Sequence, residues 1–96
     1  MIAKFDYNGW GEAFLTIGDQ EWNEEQATEI GLRNLGLPAG TDPHSDLALA
    51  GKFAGWRNLV ATHPVTHIED PESHEETMTK GDYLNFMDEH IQDLLQ

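Results

Sequence analysis

One segment of this 96-residue chain is apolar around much of a helical circumference, and this segment limits the folds open to the rest. It begins at Asp42-Pro43 or at Ser45, both typical of a helix N-terminus, and it ends before Pro64. Because other elements must cover such a helix on most sides, we predict that it is the central buried helix of the fold. Gly51 and Gly55, four residues apart, would allow close approach of another element. The apolar positions are Leu47, Leu49, Ala50, Phe53, Ala54, Trp56, Leu59 and Val60.

The first 17 residues predict a β-hairpin. The segments 2–7 and 10–17 are rich in aromatic and β-branched residues, and Asn8-Gly9 lies between them. One possible connection is a two-residue loop at Asn8-Gly9. The other is a type I turn ending at Gly9, with that glycine at positive φ in a bulge. We favour the bulged turn, which places Lys4 opposite Glu12. It also gathers one apolar face, formed by Ala3, Phe5, Ala13, Leu15 and Ile17.

Two further helices are indicated by capping patterns. Asn23 and Gln26 have the spacing of a capping box, which predicts a helix from this point to about Leu35, ended by Gly36. Thr79 opens a similar pattern before the C-terminal helix. The apolar residues of that last helix, which we expect to face the core, are Tyr83, Leu84, Met87, Ile91, Leu94 and Leu95.

These elements predict an α+β fold: an N-terminal antiparallel β-hairpin, with or without a short third strand at residues 65–68, packed with three helices. Ninety-six residues suit a single domain. The chain has no cysteine, so packing alone must stabilise it. No segment approaches the roughly 20 apolar residues that cross a bilayer, and no signal peptide is recognisable. We therefore expect a cytoplasmic protein.

Acidic residues dominate the chain and are concentrated in two segments. Eighteen Asp and Glu against five Lys and Arg give a formal net charge of −13, whereas a magnitude of about 2–8 is enough to keep a small domain soluble. Residues 1–40 contain seven acidic and two basic residues, and residues 69–96 contain nine and one, while the middle is balanced. Such a charge argues against direct binding of nucleic acid and favours a basic protein partner. The candidate partner-binding residues are Glu21, Glu24, Glu25, Glu29, Asp70, Glu72, Glu75, Glu76, Asp82, Asp88, Glu89 and Asp93.

Acidic residues four apart on a helix lie about 6 Å apart along its axis, a spacing comparable with successive phosphates of one nucleic-acid strand. Glu25 with Glu29, and Glu89 with Asp93, have this spacing, and Glu21 would extend the first row if that helix began early. Carboxylates in such rows can stand in for phosphates.

The composition of the whole chain resembles that of the small inhibitors encoded by phages and mobile elements, including DNA-mimic anti-restriction proteins and anti-CRISPR proteins. The shared features are the size, the absence of cysteine, the low isoelectric point and the acidic helical segments around a neutral core. The resemblance implies a stoichiometric inhibitor that acts in the host cytoplasm. Its partner would be a basic nucleic-acid-handling protein, such as a CRISPR effector subunit or a nuclease, whose binding surface it occupies.

Two other functions are compatible with the sequence. An immunity or antitoxin-type protein that neutralises a basic nuclease would be equally acidic. A small metal-binding domain would use His63, His67 or His74 with the neighbouring acidic residues. Pro64 argues against the metal site. The residue before a proline is extended, so the imidazoles of His63 and His67 would not lie on one face of a helix.

We expect no catalytic residues and no cofactor, because neither a nucleophile motif nor a phosphate-binding loop is recognisable. Trp10 and Trp22 are candidate interface anchors, since tryptophan is enriched in binding hot spots. Phe86 lies off the apolar stripe of the last helix. It is either an anchor for a partner or a second copy of the chain, or a side chain tucked under the loop of residues 69–79.

Overall fold

A computed structural model describes residues 1–73 and 75–96 of the chain. Five strands form one mixed sheet in the order β3-β2-β1-β4-β5, in which β1 and β4 are parallel and the other neighbours are antiparallel. The predicted α+β class, N-terminal antiparallel hairpin and three helices are confirmed. The elements are β1 (Ile2–Tyr7), β2 (Ala13–Ile17), β3 (Gln20–Asn23), α1 (Glu24–Asn34), α2 (Asp46–Thr62), β4 (His67–Glu69), β5 (Thr77–Thr79) and α3 (Lys80–Leu95).

The hairpin forms, but both predicted registers are wrong. Lys4 pairs with Thr16 rather than with Glu12, and β2 begins at Ala13. The bulge glycine is Gly11, which has φ +79° and donates its N–H to the carbonyl of Asn8 at 3.1 Å. The shift along β2 is an even number of residues, so the same side chains reach the same face. All five predicted residues of that face are therefore buried: Ala3, Phe5, Ala13, Leu15 and Ile17.

The core lies between this face of the sheet and the three helices. α2 is the central helix, as predicted, and packs against α1 and α3. Trp56 of α2 makes an edge-to-face contact with Phe5 of β1, with ring centroids 5.3 Å apart. At the start of α2 the prediction of burial is wrong, because Leu47 and Leu49 are exposed, and so is Leu95 of α3. Ala48 and Ala50, in the same stretch of α2, are buried, so the start of this helix is covered on one side only and Leu47 and Leu49 lie on the open side.

Close approach of α1 and α2 explains the glycines of the central helix. A Cβ added to Gly31 would overlap the Gly51 carbonyl oxygen, and one added to Gly55 would overlap the carbonyl of Ala27. The predicted role of Gly51 and Gly55 is thus confirmed, and the element that approaches them is α1. Only hydrogen atoms at these positions let the two backbones touch.

The predicted helix boundaries follow local capping. Asn23 and Gln26 form the reciprocal capping box of α1, and Gly36 ends this helix with φ +71°. Of the two proposed starts for α2, the structure has Ser45, whose side chain accepts the Ala48 N–H. The Thr79 hydroxyl accepts the N–H of Asp82 and caps α3.

Two strands were absent from the sequence prediction. β3 pairs with β2, and β5 pairs with β4 within the segment expected to be an irregular loop. The short third strand expected at residues 65–68 occurs as β4 at His67–Glu69, parallel to β1. None of the helices within the described ranges combines the length and apolarity needed to span a membrane.

Candidate functional site

The topology brings three segments together at one end of the sheet. β1 and β4 are parallel neighbours, so the residues that follow β4 lie beside the turn that follows β1. α1 starts at the same end, because β3 runs antiparallel to β2 and finishes opposite Phe14. We call this region the hairpin end: it comprises residues 8–12, residues 70–73 and 75–76, and Glu24.

The hairpin loop holds a tryptophan out in solvent. The Asn8 side chain accepts N–H groups from Trp10 at 2.9 Å and from Glu12 at 3.0 Å, which fixes the loop from inside. The Trp10 side chain is 89% exposed and is the most exposed large hydrophobic residue of the structure described. An apolar side chain of this size, on a loop fixed by its own hydrogen bonds, is the kind of residue that anchors interfaces.

Asp70 ties the acidic loop to β1. Its Oδ1 accepts the Tyr7 hydroxyl at 2.8 Å and the Glu72 N–H at 3.1 Å, and its own N–H donates to the Glu76 carbonyl at 2.8 Å. Burial raises the pKa of Tyr7 well above its ordinary value, and the hydrogen bond to Asp70 raises it further. Tyr7 therefore stays a neutral donor, and Asp70 is engaged within the fold.

A cavity of about 170 Å³ opens at the hairpin end between the loop, α2 and α3. The aromatic side chains in its walls are Phe5, Tyr7, Phe53, Trp56, Tyr83 and Phe86, and Ile68, Met78 and Met87 add aliphatic surface. Tyr83 is only 4% exposed, and within residues 1–73 and 75–96 its hydroxyl has no hydrogen-bond partner. Burial raises the pKa of Tyr83, with smaller contributions from Asp70 and Tyr7. The cavity is thus apolar with a neutral phenol in its wall.

The rim of this cavity is acidic. Glu24, Asp70 and Glu75 line it together with Lys52, the basic residue at the rim. The Lys52 ammonium is 3.1 Å from the Glu24 carboxylate, whose second oxygen accepts the Ala13 N–H at 2.6 Å. Glu24, predicted from the sequence as a partner-binding residue, thus connects α1, α2 and β2, and its contact with a partner stays a prediction.

The other predicted partner-binding residues divide by position. Asp88 is paired with Arg57 at 2.6 Å, and Glu29 lies 3.8 Å from Arg33 in an exposed i, i+4 pair of little energetic value. Glu21 belongs to β3, so the helical row with Glu25 does not form. The structure gathers Asp70, Glu72, Glu75 and Glu76 at the hairpin end, and it leaves Glu25 and Glu29 on α1 and Asp82, Glu89 and Asp93 on α3, all exposed apart from Asp70.

The histidines have separate local roles. His63 caps the end of α2 in an extended conformation, as Pro64 requires, and stacks edge-on against Trp22 with centroids 5.2 Å apart. His67 is exposed on β4. Within the described ranges, no three His, Asp or Glu side chains come close enough to hold a metal ion. The proposal for His74 concerns a residue outside those ranges.

Phe86 lines the cavity together with Ser73 and Glu75 of the 69–79 segment and is 40% exposed, while its role as an anchor for a partner stays a prediction. Sequence reasoning missed Tyr7, Lys52 and Tyr83 as parts of the site. Only the aromatic character of the tyrosines was visible in the sequence, because their neighbours are distant along the chain. The chain matches no protein-family model, no curated protein and no solved structure.

Proposed function

We propose that this protein is an acidic inhibitor that binds and blocks a positively charged nucleic-acid-binding protein, of the anti-CRISPR or anti-restriction kind, and that the hairpin end is its contact surface. The observation that carries the proposal is the position of Trp10. It is almost fully exposed on the hairpin loop, and the next residue of that loop, Gly11, lines the same cavity as Asp70, Glu75 and Phe86. An exposed aromatic anchor on a loop next to carboxylates fits a basic surface with a hydrophobic centre.

The acidic residues would act mainly on the rate of association. A net charge of −13 attracts a cationic partner over distances comparable with the Debye length, about 8 Å at physiological ionic strength. Glu72, Glu75 and Glu76 are exposed at the hairpin end and are free to meet arginine and lysine side chains that otherwise hold phosphates. Trp10 would then lengthen the lifetime of the complex, because most affinity differences lie in the dissociation rate.

The rows of carboxylates on α1 and α3 have a secondary part in this proposal. Glu25 with Glu29, and Glu89 with Asp93, keep the phosphate-like spacing, but each row has only two members. The two rows lie on helices that pack against different sides of α2. They add to the long-range electrostatic attraction of a basic partner, whereas the hairpin end makes the direct contacts.

The test is capture of bacterial proteins on immobilised protein, followed by competition with DNA. We expect the captured proteins to be nucleic-acid-binding, to be released by a DNA duplex, and to bind more weakly as salt rises. Trp10→Ala, and the triple change of Glu72, Glu75 and Glu76 to Gln, should each reduce capture. The control, Asp19→Asn with Glu21→Gln, removes exposed charge at the turn between β2 and β3, at the opposite end of the sheet, and should retain most of it.

Captured proteins that DNA does not displace, or binding unchanged between low and high salt, would refute the proposal. Equal losses in the triple variant and in the control at the β2–β3 turn would refute the assignment of the surface, since only overall charge would then matter. Circular dichroism of each variant separates loss of binding from loss of fold.

A further inference from the structure

We infer that the cavity at the hairpin end binds an organic cation: a guanidinium or alkylammonium group carried on a short apolar stem. Three features lead to this ligand class: the aromatic walls, the acidic rim and the Tyr83 hydroxyl. The inference concerns the cavity alone and does not depend on the proposed partner, because a free cation tests it directly.

The walls select a flat or slender apolar group. Phe5, Phe53, Trp56 and Phe86 supply aromatic surface, and the volume of about 170 Å³ is close to that of an engineered cavity of about 150 Å³ that binds benzene. An alkyl stem of a few carbons with one planar head group fits this size. The faces of aromatic rings also attract cations, most strongly where water is excluded.

The rim determines the sign of the charge. Among the described residues that line the cavity, Glu24, Asp70 and Glu75 carry carboxylates, and Lys52 is the one base, with its ammonium already paired with Glu24. An anion entering this mouth would meet repulsion from Asp70 and Glu75, whereas a cation would be attracted by both. Lys52 itself shows the chemistry, since its ammonium lies 5.7 Å from the centroid of the Phe53 ring.

Tyr83 supplies the polar contact inside. Tyr83 lines the cavity and is 4% exposed, and among the described residues no group forms a hydrogen bond with its hydroxyl. A cationic ligand that donates to this hydroxyl gains a charge-assisted hydrogen bond, which is stronger than a neutral one. The oxygen of the neutral phenol can accept a hydrogen bond from a guanidinium N–H.

The experiment compares three ligands of nearly equal shape: n-butylguanidinium, n-butylurea and pentanoate. Each is titrated into the isotope-labelled full chain and followed by the backbone NMR signals of Lys52, Asp70 and Tyr83. We expect saturable shifts with the guanidinium, affinity at least about tenfold weaker for the neutral urea, and no binding of pentanoate. Equal binding of guanidinium and urea, or no binding of either, would overturn the inference without any mutation.

Variants then localise the effect. Tyr83→Phe and Asp70→Asn should each weaken guanidinium binding several-fold. Asp19→Asn, exposed in the β2–β3 turn at the other end of the sheet, should leave it unchanged. An equal loss in the control would overturn the assignment to this cavity. The NMR spectrum reports whether each variant is folded.

The cation could come from a protein side chain or from a free amine, and a Gly-Arg-Gly peptide separates these sources. Tighter binding of the peptide than of n-butylguanidinium, reduced by Trp10→Ala, indicates a side chain presented by a protein. Peptide binding no tighter than that of the free cation indicates a small molecule. If the cavity binds the cation but the protein captures no basic partner, this inference stands and the proposed function is refuted.

Discussion

Replacing Gly31 with alanine should destabilise the protein strongly, because backbone atoms of α2 occupy the place of the new methyl group. An ideal Cβ on Gly31 would overlap the Gly51 carbonyl oxygen and lie 2.6 Å from the Gly55 nitrogen. Real Cβ atoms essentially never come within 3.0 Å of another atom. Backbone atoms cannot rotate away as a side chain can, so α1 and α2 would have to part by on the order of 1 Å, which forfeits up to half of the dispersion energy at the contact.

The magnitude follows from this separation. Overpacking a core usually costs about 1–3 kcal/mol, and a clash with two backbone segments belongs at the upper end, about 3 kcal/mol or more. A domain of this length has a free energy of unfolding of roughly 5–14 kcal/mol, so the loss is a large fraction of the total. At about 4–8 °C per kcal/mol, the melting temperature should fall by about 12 °C or more.

Thermal unfolding followed by circular dichroism measures this fall, and Gly81→Ala is the matched control. Gly81 lies in the first turn of α3, is exposed, and has nothing within 4 Å of the place where its Cβ would stand. Alanine there should be neutral or stabilising by up to about 1 kcal/mol, because glycine is the weaker helix former. A Gly31→Ala protein that melts within a degree or two of the parent would refute the close packing of α1 against α2.

Three further predictions concern local structure and ionisation. Gly11→Ala should lower the free energy of unfolding in urea by about 1–2 kcal/mol, because alanine is strained at φ +79°, whereas Gly9→Ala should change it little. A larger loss for Gly9→Ala than for Gly11→Ala would show that the bulge glycine is Gly9, as the sequence predicted. Asn23→Ala should cost about 1 kcal/mol by removing the capping box of α1, and Asn34→Ala, at the exposed last residue of the same helix, should cost much less by the same assay. The pKa values of both tyrosines of the chain are raised by burial, so the unfolded state ionises first and stability should be intact below about pH 10 and be lost as the pH rises above it. Absorbance of the phenolate at alkaline pH should therefore rise together with loss of the folded circular dichroism signal, and a reversible titration near pH 10 in folded protein would contradict the burial of these rings.

Features that depend on residues close together in the sequence were predictable. The capping box of Asn23 and Gln26 spans three residues, and Gly36 acts on the turn beside it, so both followed from spacing alone. The buried face of the hairpin was also predictable, although its register was not. Strand alternation fixes which face a residue occupies, while the register depends on which of several glycines takes the positive φ.

The site depended on contacts between distant parts of the chain. Tyr7 meets Asp70 across 63 positions and Glu24 meets Lys52 across 28, and no local pattern indicates either pair. Glu24 looked like one more exposed acid of a first helical turn, yet its carboxylate is used twice inside the fold. β3 was missed because Gln20, Glu21 and Asn23 have little strand propensity, and pairing with β2 overrides this.

The place of β1 in the sheet also has a consequence for biosynthesis. It is the first strand of the chain and yet the middle strand of five, with its parallel neighbour β4 beginning only at His67. A nascent chain therefore leaves the ribosome with one side of β1 unpaired until the polypeptide has grown past β4, and closing so long a loop is slower than forming the local helices. Bare strand edges template pairing with other chains. Wrong pairing with other chains is thus favoured most during translation, before β4 pairs with β1.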